Sequence, residues 1–239
     1  MIARVLRGGE CAEIGAVSSR SSGQWALAMS RGFEGPARKL DPNEDSCGFI
    51  SGGIGSIAVV ADGHYGRASA ELAVDQFLHI GLQEPPPRGV SGQLIWEWLQ
   101  LQLEGANSRV RAEPSASACA ILAVVVQGHM LWWASIGDCR LYHLRGSRSA
   151  VCNPLHGVYL GDSAQVSPEL GELSLAAGDR VVLASDGLPE CIHGQETLLP
   201  SDVLSCVRDQ APEPAARALI DAALTGGGED NVSVVVGQI

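Results

Sequence analysis

The stretch SIAVVADGH, residues 56–64, is an apolar run that ends in an Asp-Gly pair followed by a histidine. A run of β-branched and aliphatic residues of this length predicts a buried β-strand, and Asp-Gly is typical of a turn at a strand end. The sequence therefore places the carboxylate of Asp62 at the end of a core strand, where Gly63 allows the chain to turn sharply. One carboxylate at a strand end indicates no function by itself.

Two other acidic motifs adjoin apolar runs in a similar way. Asp186 follows the run RVVLAS at residues 180–185, and Asp230 precedes the run VSVVV at residues 232–236. The motif Asn43-Glu44-Asp45 is a fourth candidate. Mg²⁺ and Mn²⁺ prefer carboxylate, carbonyl and water oxygens as ligands. If the four segments converge, the chain is a metal-dependent enzyme.

Composition argues against several other classes of protein. The chain has 239 residues, of which 46% are hydrophobic, so it is long enough and apolar enough to bury a core. A formal net charge of −11 argues against nucleic-acid binding, which needs a basic surface. No run approaches the roughly 20 apolar residues of a membrane span, and the first residues lack a signal-peptide core. We therefore expect a cytoplasmic protein with no membrane partner.

The cysteines favour a reduced protein. There are seven of them, an odd number, scattered without C-x-x-C spacing. This pattern is more typical of packing cysteines than of a disulfide framework or a zinc site.

The hydrophobic pattern predicts one α+β domain over residues 1–239. Strands are expected at 25–29, 56–61, 119–127, 130–136, 140–144, 180–185 and 232–236. Helices are expected at 66–80, 91–112, 201–208 and 212–224. On the second helix, four apolar side chains are expected on one face: Leu94, Ile95, Trp98 and Leu101.

Two glycine-containing pairs separate the central strands. Gly128-His129 and Gly137-Asp138 are typical of tight turns, so the three strands between residues 119 and 144 are predicted to form an antiparallel meander.

Five motifs follow one another along the chain: NED (43–45), VVADGHYG (59–66), SIGDCRLYHLR (135–145), VVLASDGL (181–188) and GGGEDNVSVVV (226–236). Each motif alone is weak, because Asp-Gly is a common turn and Gly-Asp a common hairpin. In this order and spacing they resemble the metal-dependent serine/threonine phosphatases (the PPM family, type 2C), in their bacterial form. The resemblance covers nearly the whole chain from about residue 25.

The resemblance implies a fold and a reaction. The expected fold is an α-β-β-α sandwich, in which two packed antiparallel β-sheets are flanked by helix pairs. The expected activity is hydrolysis of phosphoserine or phosphothreonine in proteins by a metal-activated water. The segment of about 146–175 leaves room only for a shortened version of the flap that many members insert there.

The resemblance also assigns metal ligands. Asp62 would bridge two Mn²⁺ or Mg²⁺ ions, and Gly63 would give its carbonyl oxygen to one of them. Asp186 and Asp230 would bind the second ion, and Asp45 would hold water near it as part of the catalytic machinery. Asp138 would bind a third, weaker ion, although a plain hairpin-turn aspartate explains it equally well from sequence.

Two further residues receive roles with an open alternative. His64 matches the histidine that is proposed as general acid in eukaryotic members, and an exposed histidine at a helix start is the other interpretation. Arg38 is the candidate for binding the substrate phosphate, because the family has an arginine shortly before its NED motif. Here a two-residue insertion displaces that arginine, so a solvated loop cation remains the alternative. Tyr65 stands where the family usually has glycine.

The expected partner is a phosphorylated protein, with a serine/threonine kinase acting in opposition, and the chain is expected to be a monomer. Two other functions stay open. One is a catalytically silent regulator of the same fold that binds a signalling partner. The other is a phosphatase dedicated to a phosphorylated anti-sigma antagonist.

Overall fold

The computed structural model describes residues 1–36, 39–53, 55–89 and 91–239. In this part of the chain the strands are β1 (Ile2–Arg7), β2 (Val17–Ser22), β3 (Trp25–Ser30), β4 (Ser46–Gly52), β5 (Gly55–His64), β6 (Ala118–Gln127), β7 (Met130–Ile136), β8 (Arg140–Arg145), β9 (Arg148–Val151), β10 (Glu169–Ser174), β11 (Arg180–Ala184) and β12 (Val232–Gln238). The helices are α1 (Ala68–Gln83), α2 (Gly92–Ala112), α3 (Pro200–Val207) and α4 (Pro212–Gly226).

The strands form two antiparallel sheets. The first sheet has the order β1-β4-β5-β6-β7-β10, and the second has the order β2-β3-β12-β11-β8-β9. Each pairing between these strands is antiparallel.

The first sheet is buried on both faces, and β5 shows how its sequence achieves this. Ala58 and Val60 point into the core between the two sheets. Ile57, Val59 and Ala61 point the other way, into the core beneath α1 and α2. Because side chains alternate along a strand, a run that is apolar at every position fits a strand covered on both faces.

The second sheet is covered in the same manner. On β11, Val181 and Leu183 face the inter-sheet core, whereas Val182 and Ala184 pack with the apolar faces of α3 and α4. The layers therefore follow the order helices, sheet, sheet, helices. This arrangement confirms the predicted α-β-β-α sandwich.

The predicted meander is wrong at its second turn. β7 pairs with β6 and β10 in the first sheet, but β8 pairs with β9 and β11 in the second sheet. Gly137 and Asp138 therefore form a crossing between the sheets, and Gly137 has the positive φ of 92° that this sharp change of direction uses. The sequence could not reveal the crossing, because two apolar strands joined by Gly-Asp look the same in either arrangement.

The turn after β5 also comes later than the sequence predicts. Gly63 and His64 still pair with Cys119 and Ala118 of β6, so the strand continues through the Asp-Gly pair. The chain turns instead at Tyr65, whose φ is +62°. As a result, Asp62 lies within the paired part of β5 and not in the turn that follows the strand.

The buried face of α2 differs from the prediction. Ile95 is fully buried, but Leu94 is 42% exposed and Leu101 is 62% exposed. The core side of the helix is formed by residues spaced four apart, Ile95, Leu99 and Leu103, which is the spacing of neighbours on one helix face.

No helix in the described part of the chain combines the length and the apolar character that crossing a membrane requires.

The orientation of α2 can be tested by a matched pair of substitutions. Leu99→Ala should lower the free energy of unfolding by about 2–5 kcal/mol, because it leaves a cavity in the core. Leu101→Ala should change it by less than about 0.5 kcal/mol, because that side chain is mostly in solvent. Urea denaturation would measure both values, and equal losses for the two variants would contradict this orientation.

Candidate metal centre

The antiparallel register brings four acidic residues to one edge of the sandwich. In the first sheet Ser46 lies opposite Ala61, so Asp45, just before β4, is close to Asp62 near the end of β5. In the second sheet Ala184 lies opposite Val234, so Asp186 after β11 is close to Asp230 before β12. The start of one antiparallel strand necessarily lies beside the end of its neighbour.

A buried hydrogen bond joins the two sheets at this edge. The Ser185 hydroxyl donates to Oδ2 of Asp45 at 2.7 Å, and the backbone N–H of Ser233 donates to the same Ser185 oxygen at 3.0 Å. Asp45 and Ser185 are both fully buried. The link fixes the carboxylate of the first sheet against β11 and β12 of the second.

The carboxylates repel one another in a poorly solvated site. Burial, and then the charges of Asp186 and Asp45, raise the pKa of Asp62 well above its ordinary value. Burial, followed by the charge of Asp230, raises the pKa of Asp186 to about 7. Burial likewise raises the pKa of Asp45 to about 6, although the Ser185 hydroxyl acts in the opposite direction. Such a cluster is stabilised by positive charge.

Lys39 supplies one such charge. Its ammonium lies 2.5 Å from Oδ1 of Asp230. Burial alone would lower the pKa of Lys39, but the contact with Asp230 and the charges of Asp62 and Asp45 raise it above its ordinary value. The sequence analysis missed this contact, since nothing in the local pattern separates Lys39 from the other loop cations.

Asn231 holds the loop segments around the cluster together. Its amide oxygen accepts from the N–H of Glu44 at 2.9 Å, and its amide nitrogen donates to the carbonyl of Arg31 at 2.8 Å. Gly63 lies so close to Glu44 that a Cβ there would collide with the Glu44 carbonyl oxygen. The Glu44 side chain is used elsewhere, because its Oε1 accepts from the N–H groups of Leu40 and Asp41 at 2.8 and 3.1 Å.

The donor set fits a hard divalent cation. Within the described residues no three acidic, histidine or cysteine side chains surround a single ready-made ion position. However, one carboxylate oxygen each of Asp45, Asp138 and Asp186 is buried without a hydrogen-bond partner. Buried, unpaired and mutually repelling oxygens are the ligands that Mn²⁺ or Mg²⁺ would use.

Asp138 and His64 lie together on the side of the cluster formed by the sheet crossing. The hydroxyl of Tyr159 donates to Oδ2 of Asp138 at 3.4 Å, and the rings of His64 and Tyr159 have centroids 4.3 Å apart. Nε2 of His64 is buried without a partner. Burial lowers the pKa of His64, while the charge of Asp138 opposes this change. His64 is therefore not an exposed histidine at a helix start.

Arg38 lies outside the described residues. Beside the cluster, a cavity of about 360 Å³ is lined by Arg31, Lys39 and Asn231, together with the apolar Phe33 and Leu40. The same cavity is also lined by the acidic Glu34, Asp41 and Glu229, so its two cationic residues stand among carboxylates.

Comparison with known proteins now identifies the group to which the chain belongs. The family model described as Stage II sporulation protein E (SpoIIE) matches residues 97–239, more than half of the chain. The serine/threonine protein phosphatase PstP of Mycobacterium tuberculosis is 30% identical over 240 residues, which cover 82% of this chain and 42% of PstP. The chain belongs to the bacterial metal-dependent (PPM) phosphatase family. It spans less than half the length of PstP.

Solved structures of PPM phosphatases share the fold. The PPM Ser-Thr phosphatase MsPP of Mycobacterium smegmatis, in complex with cacodylate, matches with a TM-score of 0.72 at 22% identity, covering 90% of this chain and 97% of MsPP. The catalytic domain of PstP in complex with two manganese ions matches with a TM-score of 0.70 at 24% identity, covering 93% and 99%.

Neutralising Asp62 should stabilise the metal-free protein. Asp62→Asn keeps the shape of the side chain but removes a buried charge, so the free energy of unfolding at pH 7 should rise by more than about 1 kcal/mol. The raised pKa values of the clustered aspartates mean that the folded protein holds protons that the unfolded chain releases. The metal-free wild type should therefore gain stability as the pH falls from about 7 towards 4. The variant should gain less over this range.

Thermal denaturation in chelator and in Mn²⁺ would measure these effects. Mn²⁺ should raise the melting temperature of the wild type but not of Asp62→Asn. Asp221→Asn, on the exposed face of α4, is the matched control and should behave as wild type. An Asp62→Asn protein that is destabilised in chelator and still stabilised by Mn²⁺ would contradict the repulsive cluster.

Tyr65 should be replaceable by glycine with a gain in stability. Its side chain is 71% exposed and its backbone is left-handed, which costs about 1–2 kcal/mol for a residue with a Cβ. Tyr65→Gly removes that cost but adds about 0.4–1 kcal/mol of unfolded-state freedom, so a net gain of up to about 1 kcal/mol is expected. Tyr65→Ala keeps the Cβ and should give no gain. Urea denaturation that finds the two variants equally stable would rule out backbone strain at this position.

Proposed function

We propose that the chain is a metal-dependent protein phosphatase that hydrolyses phosphoserine and phosphothreonine in proteins. The observation that carries the proposal is the convergence of Asp45 and Asp62 from one sheet with Asp186 and Asp230 from the other. These four carboxylates place oxygen donors at one end of the sandwich, with Asp45 and Asp62 buried and Asp186 and Asp230 partly exposed, and oxygen donors are what a pair of hard cations needs.

Asp62, Asp186 and Asp230 would hold two Mn²⁺ or Mg²⁺ ions, with the carbonyl oxygen of Gly63 as a further ligand. Asp138, with its unpaired Oδ1, would hold a third ion. When bound, such ions supply Lewis acidity, which stabilises charge on the phosphoryl oxygens and lowers the pKa of water.

Residues of the protein would orient the attacking water and protonate the leaving oxygen. Asp45, held by Ser185, would accept a hydrogen bond from the attacking water and so align it with phosphorus. The imidazole of His64 would donate a proton to the departing serine or threonine oxygen, because an alkoxide is a poor leaving group. Arg38 would bind the substrate phosphate through its guanidinium group.

The substrate would be a phosphoprotein, as expected for a relative of the serine/threonine protein phosphatase PstP, and a serine/threonine kinase would act in opposition. We further propose one domain over residues 1–239 with a shortened flap at about 146–175, acting as a monomer. The cytoplasmic location stays a prediction. The silent regulator and the phosphatase of an anti-sigma antagonist are the competing functions that experiment must separate.

The direct test is hydrolysis of p-nitrophenyl phosphate and of a phosphothreonine peptide, with and without millimolar Mn²⁺. Wild type should require the metal. Asp62→Ala and Asp230→Ala should lower kcat/KM by about a thousandfold or more, because loss of a metal ligand removes several kcal/mol of transition-state stabilisation. Both variants should remain folded by circular dichroism.

Asp221→Asn is again the control and should keep the wild-type rate. Folded wild type that binds Mn²⁺ but turns over neither compound would favour the silent regulator. Activity that survives Asp62→Ala would exclude the proposed metal ligands.

A further inference from the structure

Residues 156–162, in the shortened flap region, are fastened to the sheet edge beside His64. Leu160 exchanges two backbone hydrogen bonds with Cys119, at 2.9 and 3.1 Å. Cys119 lies opposite Gly63 in the pairing of β5 with β6. His156 donates its N–H to the carbonyl of Gly137 at 3.0 Å. These backbone hydrogen bonds of His156 and Leu160, on either side of Tyr159, place that residue between β5 and the sheet crossing.

The side chain of Tyr159 lies between His64 and the Gly137-Asp138 crossing. Its ring meets the His64 imidazole with centroids 4.3 Å apart and planes tilted by 55°. On the other side it packs against Gly137, where a Cβ would lie 3.3 Å from Cδ1 of Tyr159. Its hydroxyl donates to Oδ2 of Asp138 at 3.4 Å. One aromatic residue thus contacts two residues that flank the acidic cluster.

The hydroxyl of Tyr159 is a donor, because a phenol keeps its proton at neutral pH. The ring also forms part of the wall of a cavity of about 250 Å³ that includes Val158 and Val166. If Tyr159 had only a structural role, its ring would line that cavity and do nothing more.

His64 needs a neighbour that fixes its ring. Its Nε2 is buried without a hydrogen-bond partner, so no polar contact of that atom sets the orientation of the imidazole. A general acid works only when its donor atom is within hydrogen-bond reach of the leaving oxygen and aimed at it. Of the contacts described above, the face of Tyr159 is the one that limits rotation of the imidazole.

We propose that Tyr159 is a positioning residue whose ring holds the His64 imidazole in the orientation needed to protonate the leaving oxygen. This role rests on the proposed phosphatase function. It assigns to the shortened flap region a contribution to the chemical step, through His64, and not to the selection of substrates.

Three variants separate the contacts. Tyr159→Leu removes the ring from His64, Tyr159→Phe keeps the ring and removes the hydroxyl from Asp138, and His64→Ala removes the group being positioned. Val158→Ala, in the same segment and more than half exposed, is the control. All four would be assayed in saturating Mn²⁺ with the phosphothreonine peptide and with p-nitrophenyl phosphate.

The leaving group should decide the size of the effect. Tyr159→Leu should lower kcat on the peptide by at least about tenfold, since general acid catalysis contributes about 10²–10⁴-fold. On p-nitrophenyl phosphate, whose leaving group needs no proton, the change should be less than about threefold. Tyr159→Phe should stay within about threefold on both. The double variant His64→Ala/Tyr159→Leu should be no slower than His64→Ala.

A spectroscopic measurement tests the contact without turnover. In the Mg²⁺-loaded protein, the His64 imidazole protons should show an aromatic ring-current shift, with their resonances identified by their loss in His64→Ala. The shift should persist in Tyr159→Phe and disappear in Tyr159→Leu.

Equal slowing of both substrates by Tyr159→Leu, or an unchanged His64 resonance in that variant, would overturn the positioning role. So would a wild-type peptide rate in Tyr159→Leu. These results require active wild-type protein. Wild type without metal-dependent turnover would instead overturn the proposed phosphatase function, and the positioning role with it.

Discussion

Mutual repulsion among buried carboxylates is the constraint around which this end of the molecule is built. Asp45, Asp62 and Asp186 are withdrawn from water at the meeting point of the two sheets, and their pKa values are raised by burial and by one another. In a medium of low dielectric, such a cluster is unfavourable without compensating positive charge. The ammonium of Lys39 offsets part of this repulsion at Asp230. The remaining unpaired oxygens are the donors that we propose for divalent cations.

The hydrophobic layers supply the rigidity that this cluster requires. Strands such as β5 are apolar on both faces, so each is fixed between the inter-sheet core and a helix layer. The Ser185–Asp45 hydrogen bond and the Asn231 contacts then join the two sheets and the acidic loops into one edge. This frame keeps the repelling carboxylates close together, because a close-packed interior resists the deformation that would separate them.

The sequence predicts the central strands of this structure better than its edge strands and its crossing between the sheets. The apolar runs of β5, β6, β11 and β12 give the core strands, and their flanking aspartates give the cluster. The edge strand β2, with the sequence VSSRSS, carries almost no apolar signal and was not predicted. The sequence predicts a hairpin turn at Gly137-Asp138 where the structure has a crossing, since local sequence does not say which sheet the next strand joins.

Contacts between distant segments account for the rest of what the sequence analysis missed. Lys39 meets Asp230 across most of the chain, and Tyr159 meets His64 only because Leu160 pairs with Cys119. Neither contact has a periodicity or a motif that a single sequence could display. In contrast, Asp62, Asp186 and Asp230 were found because each stands beside a run whose strand character is itself readable.

We propose that carboxylates from both sheets form one cation site, and a double-mutant cycle of Mn²⁺ binding would show whether they act together. Calorimetric titration would compare wild type, Asp62→Asn from the first sheet, Asp186→Asn from the second, and the double variant. A shared site predicts at least tenfold weaker binding in each single variant and strong non-additivity, with the double variant little worse than the weaker single one. Independent effects that multiply in the double variant, or unchanged affinity in either single variant, would contradict a shared site.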